Sequence, residues 1–111
     1  MTIEGAEAIE HFRLLDDLAN SCTEKGIAIY EHRYHYLAFG SWTIVAGRRK
    51  NRMRFDWNGK EQLLYVSQSE FPDSQAPANW TPLPCDTGGD GITQAEVISA
   101  VQKYLRGVYD V

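Results

Sequence analysis

From Arg52 to Val66 the chain alternates apolar and polar residues with a period of two, broken by Asn58-Gly59. No other stretch limits the fold so tightly. Met53, Phe55 and Trp57 fall on one side of a strand and Arg52, Arg54 and Asp56 on the other, which marks one buried and one solvated face. An Asn-Gly pair between two such runs favours a two-residue type I′ turn, because both central residues need positive φ. That turn predicts Trp57 opposite Lys60, Phe55 opposite Gln62 and Met53 opposite Leu64. Leu64 and Val66 then join the core face, while Glu61, Leu63 and Tyr65 join the arginines outside. A slip by one residue would send the whole apolar set into water, so pattern and turn support each other.

The flanking segments complete an α+β pattern. Ile9, Phe12, Leu15, Leu18, Ala19 and Cys22 recur at helical spacing between about Ala6 and Glu24, and Gly26 supplies the stop. Ile27 to Phe39 is rich in β-branched and aromatic residues. Turning Glu31, Arg33 and His35 inward would bury charge, so Tyr30, His32 and Tyr34 are expected inside, with a bulge near Leu37. Trp42, Ile44 and Ala46 make a further half-buried strand, and the loop Arg48 to Asn51 leads into the hairpin. Near the end, Thr93 and Glu96 form a capping box for a helix whose stripe is Val97, Val101, Tyr104, Leu105 and Val108. The expectation is a two-layer α-β-β-β-β-α domain spanning residues 1–111, a four-stranded antiparallel meander with both helices packed on one face.

One stretch resists regular structure. Residues 71–91 hold all four prolines with Gly88, Gly89 and Gly91, so the segment reads as a long loop, at about 71–92, and a poor strand. Trp80 is expected to pin it to the body.

Charge narrows the function classes. The net charge of -4 is unevenly spread: residues 1–26 carry two basic and six acidic groups, 27–71 seven and four, and 72–111 two and five. Five of the eleven Lys and Arg residues lie between Arg48 and Arg54. Arg48, Arg49 and Lys50, with Arg52 and Arg54, could neutralise a polyanion, although a dedicated nucleic-acid domain usually has a basic overall balance. No apolar run approaches the ~20 residues that cross a bilayer, and the N-terminus lacks a basic region followed by an apolar core. The expected setting is cytoplasmic, with no membrane partner.

Catalytic and metal signals are weak. The type I′ register would set Asp56 against Glu61 with Cβ atoms ~5 Å apart, a spacing that could raise one carboxyl pKa. A hairpin end is seldom a cleft, however. His32 and His35 point to opposite strand faces, and His11 could meet His32 and Cys22 only through tertiary packing. Asp86, Asp90 and Gly91 fail as a calcium loop, because Val97 stands where the twelfth-position Glu is needed. Cys22 and Cys85 lack paired spacing and read as free thiols. No catalytic residue, metal or cofactor is assigned.

The leading expectation is a non-catalytic binding or adaptor domain, acting through Arg48, Arg49, Lys50, Arg52, Arg54, Leu63 and Tyr65. Val45, Leu63 and Tyr65 are expected among Arg33, Arg52 and Arg54 on a face with no helix to cover it, and aromatic with arginine groups favour interface centres. The partner would be another protein or a second copy of the chain, making a homodimer. The alternatives are a polyanion or nucleic-acid binder through Arg48 to Arg54, and a small enzyme with its cleft under residues 72–91, using Asp56, Glu61, His32, Asp86 or Asp90.

Overall fold

A computed structural model describes residues 3–35, 37–48, 51–70 and 80–109. The chain is α+β: α1 (Ile3–Glu24), β1 (Ala28–His35), β2 (Ser41–Arg48), β3 (Asn51–Asn58), β4 (Leu63–Glu70), β5 (Thr81–Leu83) and α2 (Gln94–Tyr109). The antiparallel sheet follows chain order, β1-β2-β3-β4-β5. Trp42, Ile44, Ala46, Met53, Phe55, Trp57, Leu64 and Val66 from one sheet face meet Leu18 and Cys22 of α1 and Val97, Ile98, Val101 and Leu105 of α2 in one core. Both helices therefore cover the same face. Among the described residues no helix is long and apolar enough to cross a membrane. Cys22 and Cys85 are free, and burial pushes the Cys22 thiol up.

The central hairpin keeps its expected faces but not its expected turn. Asn58 pairs with Leu63, Trp57 with Leu64, Phe55 with Val66 and Met53 with Gln68. The loop is thus Gly59 to Gln62. An even displacement of register preserves which side chains face inward, and Leu64 and Val66 still reach the core. The longer loop has a physical cause in Asn58, whose Oδ1 accepts from the backbone N–H groups of Lys60 (3.1 Å) and Glu61 (3.0 Å). Its carbonyl accepts from Gln62 N at 2.8 Å. Positive φ falls on Gln62 (57°) instead of the Asn-Gly pair. Gly59 is needed for another reason: a Cβ there would run into the Phe39 carbonyl, and its N–H donates to Ser41 Oγ at 2.9 Å. Gly59→Asn, which a type I′ turn would tolerate, is therefore expected to cost about 1–3 kcal/mol through overpacking. Chemical denaturation checks this, and an unchanged midpoint would restore the local-turn account.

Three further expectations change. The bulge lies between Ile29 and Glu31, not near Leu37, and it turns Tyr30 to the outer face, where the Arg52 guanidinium sits 4.0 Å from its ring centre. Leu37 belongs to the turn joining β1 to β2, with Phe39 (φ 59°) and Gly40 (φ 72°) in the left-handed region. In α1 the buried face is His11, Leu18 and Cys22, with Leu14 and Leu15 partly covered, whereas Ile9 and Phe12 remain 58% and 52% exposed. A fifth strand also forms inside the proline-rich stretch, with Pro82 opposite Ser67. Pro is tolerated on a sheet edge, where one side of the strand needs no ladder donor. The capping box of α2 forms as expected: Glu96 N–H donates to Thr93 Oγ1, and Thr93 N–H donates to Glu96 Oε1, each at 3.1 Å.

Candidate functional site

The outer sheet face is built by the same registers that build the core. One row across the strands reads Glu31, Val45, Arg54, Ser67 and Pro82, and the next reads Arg33, Thr43, Asp56 and Tyr65. Asp56 anchors the middle: its Oδ1 accepts from Thr43 Oγ1 at 2.6 Å and its Oδ2 from Arg54 Nε at 2.8 Å. Asp56 faces Tyr65 and not Glu61, so the carboxylate pair expected from the type I′ register is absent. Glu61 sits in the loop and accepts from Asn58 Nδ2 (2.9 Å) and the Tyr65 hydroxyl (2.7 Å). That hydrogen bond, first among the causes, holds the Tyr65 hydroxyl above its ordinary pKa.

The expected exposed trio splits. Leu63 (41%) and Tyr65 (49%) are exposed, but Val45 is buried at 4%. Long side chains lying across a sheet cover apolar neighbours with their stems, and here Arg52 of β3 crosses β2 to reach the Tyr30 ring of β1.

Beyond β4 this face becomes concave. Trp80 and β5 rise beside it, leaving a groove of about 380 Å³ lined by Arg54, Asp56, Leu63, Tyr65, Trp80 and Pro82, among others. The Arg54 guanidinium lies 6.0 Å from the Trp80 ring centre. The groove thus combines two aromatic walls, an exposed leucine and one cation–anion pair. Its volume lies in the range of sites that bind small molecules or a few side chains.

Of the basic residues between 48 and 54, the three described ones, Arg48, Arg52 and Arg54, have separate partners. Arg48 turns to the helix ends, donating through Nη2 to the Lys25 carbonyl and through Nη1 to the Tyr109 carbonyl at 3.3 Å, with its guanidinium 5.4 Å from the Tyr109 ring centre. A cation at two helix C-termini satisfies carbonyls that have no partner within the helix. Arg52 stacks on Tyr30 and Arg54 pairs with Asp56. Arg49 and Lys50 lie outside the described residues. Of the groups named for an enzyme, the groove holds only Asp56, and a separate concavity beside Thr87, Ile92 and Lys103 holds only Asp86.

A second polar cluster lies on the opposite, helix-covered face. His11, 2% exposed, places Nε2 at 2.8 Å from His32 Nε2. The ring centres are 5.0 Å apart and the planes differ by 20°, so the nitrogens lie between the centres and the rings meet edge to edge. Such an arrangement is an N–H···N hydrogen bond, with one imidazole donating and the other accepting. Tyr34 stacks on His11 at 4.3 Å between centres. Burial first, and then the nearby His32, lowers the His11 pKa to about 4; burial lowers His32 as well. Cys22 belongs to the core near Leu18, and among the described residues no three His, Cys, Asp or Glu side chains are grouped to hold a metal. His11, Glu10, Tyr34, Gln62 and Gln94 border a concavity of about 240 Å³.

Sequence reasoning placed His32 inward but did not place His11 beside it. The signal was there in the helical spacing of His11 with Leu14, Leu15, Leu18 and Cys22. Trp80 was legible only as an anchor, because its role depends on β5. No family model, curated protein or solved structure matches the chain.

Proposed function

We propose that the protein is a non-catalytic binding module that takes a short extended segment of another protein into the groove between β3, β4 and Trp80. The observation that carries this reading is the groove itself, about 380 Å³ on a sheet face that no helix among the described residues covers. Trp80 and Tyr65 offer rigid apolar walls with little side-chain entropy to lose, which is why aromatic residues dominate interface energetics. Arg54 commits Nε to Asp56, and its terminal nitrogens remain donors for a backbone carbonyl or a carboxylate of the ligand. Thr43 and Arg54 between them hold Asp56, so the polar floor is rigid before a ligand arrives.

Selection from a displayed peptide library tests this. Wild-type protein is expected to enrich peptides with an apolar anchor, and Tyr65→Ala combined with Arg54→Ala should weaken their binding by at least about tenfold. Both residues are substantially exposed, so the fold should survive. Equal recovery of the same peptides by the double variant would sink the reading.

A further inference from the structure

We infer that the free edge of β1 pairs with β1 of a second copy of the chain, antiparallel and about a dyad between the two copies of His32, joining two five-stranded sheets into one. This inference does not rest on the groove, which lies across the sheet between β3, β4 and Trp80.

The edge comes first. β1 is eight residues long and, among the described residues, carries no strand on its outer side. A long edge strand presents a row of backbone donors and acceptors that can template pairing. The bulge that would discourage such pairing lies between Ile29 and Glu31, leaving Glu31 to His35 regular.

Symmetry and charge then favour one register. Directly opposed residues in an antiparallel pair share a face, so a dyad normal to the sheet, lying between the two strands, must set one residue opposite its own mate. A dyad at Glu31 would oppose two glutamates, and one at Arg33 two arginines. A dyad at His32 sets Glu31 of each copy against Arg33 of the other, twice. Within one copy Arg33 already reaches Glu31, at 2.9 Å between Nη2 and Oε1, with both side chains open to solvent. The same two groups can therefore exchange an internal partner for an external one.

An apolar surface lies where this operation needs it. The dyad keeps both helix layers on the same side of the joined sheet. Phe12 lies 5.9 Å from the His32 ring and 5.9 Å from the Tyr34 ring, between centres. Bringing His32 to its mate therefore brings Phe12 toward its mate. Phe12 and Ile9 are the exposed half of an α1 stripe too wide for its own core. A second copy accounts for that excess.

The test uses charge reversal on the full chain. Light scattering should give wild-type protein twice the 12.6 kDa chain mass. Glu31→Arg or Arg33→Glu alone turns two attractive pairs into two repulsive ones and should weaken association about tenfold. Mixing the two single variants in equal amounts restores opposite charges at both positions, and the mass should return to that of a dimer. Phe12→Ser, at an exposed site, should weaken the dimer without unfolding the chain. A wild-type monomer at every concentration up to about 1 mM, a dimer indifferent to either reversal, or a mixture that stays monomeric would overturn the inference. None of these results bears on peptide capture by the groove, which the β1 variants should retain.

Discussion

Replacing Phe55 with alanine is expected to lower the unfolding free energy by about 3–5 kcal/mol, while Arg54→Ala, one residue earlier, changes it by less than about 1 kcal/mol. The contrast follows from the period of two. Phe55 is fully buried, opposite Ile44 on β2 and Val66 on β4, with Tyr104 of α2 closing over it at 6.3 Å between ring centres. Removing its ring loses the transfer free energy of the side chain and leaves a cavity that a sheet with paired neighbours on both sides cannot collapse to fill. The loss is a large share of the ~5–15 kcal/mol that holds a domain folded. Arg54 points to the other face, where its ion pair with Asp56 is open to water. Urea titration of both variants measures the difference. Equal losses would mean that β3 is not buried on one side only.

Acidification should destabilise the protein through His11 before its carboxylates are fully titrated. In the folded state His11 holds its proton only below about 4, against an ordinary value near 6.5. The unfolded chain therefore binds more protons between those limits, and stability rises with pH there. The contribution is fully present above about 6.5 and is lost as the pH falls toward 4, amounting to about 2 kcal/mol once solvent screening is discounted from 1.36 kcal/mol per unit. His32 is also lowered by burial and acts in the same direction. Denaturation midpoints at pH 7 and pH 4.5 should differ clearly for wild type and much less for His11→Phe. A wild-type midpoint unchanged across that interval would mean that His11 is not held neutral.

The α+β class and the core faces were legible because they depend on residue periodicity, which tertiary contacts reinforce. Met53, Phe55, Trp57, Leu64 and Val66 are all inside, even though the turn between them is two residues longer than the Asn-Gly pair implies. That turn was not legible because Asn-Gly is compatible with either loop: Asn58 closes the longer one through Lys60, Glu61 and Gln62, and Phe39 and Ser41, from another part of the chain, pack Gly59 within it. β5 was hidden for a related reason. Three residues around Pro82 carry no strand signal until β4 offers an edge. The charge run misled in part, since sequence proximity says nothing of direction: Arg48 turns to two helix ends while Arg52 and Arg54 stay on the outer face. Leu63 and Tyr65 were placed correctly, and Trp80 completes a wall that no local pattern announces.

Trp80 also provides the most direct test of the binding groove. Trp42 and Trp57 are buried in the core, and Trp80, the third tryptophan, is half-buried beside Arg54. Titrating a library-selected peptide into the protein while recording tryptophan emission therefore reports on the groove, with Trp80→Phe as the control. The account predicts a saturable change in emission that is lost in Trp80→Phe, together with weaker binding by that variant. A response of the same size in Trp80→Phe, at undiminished affinity, would place the ligand elsewhere and contradict it.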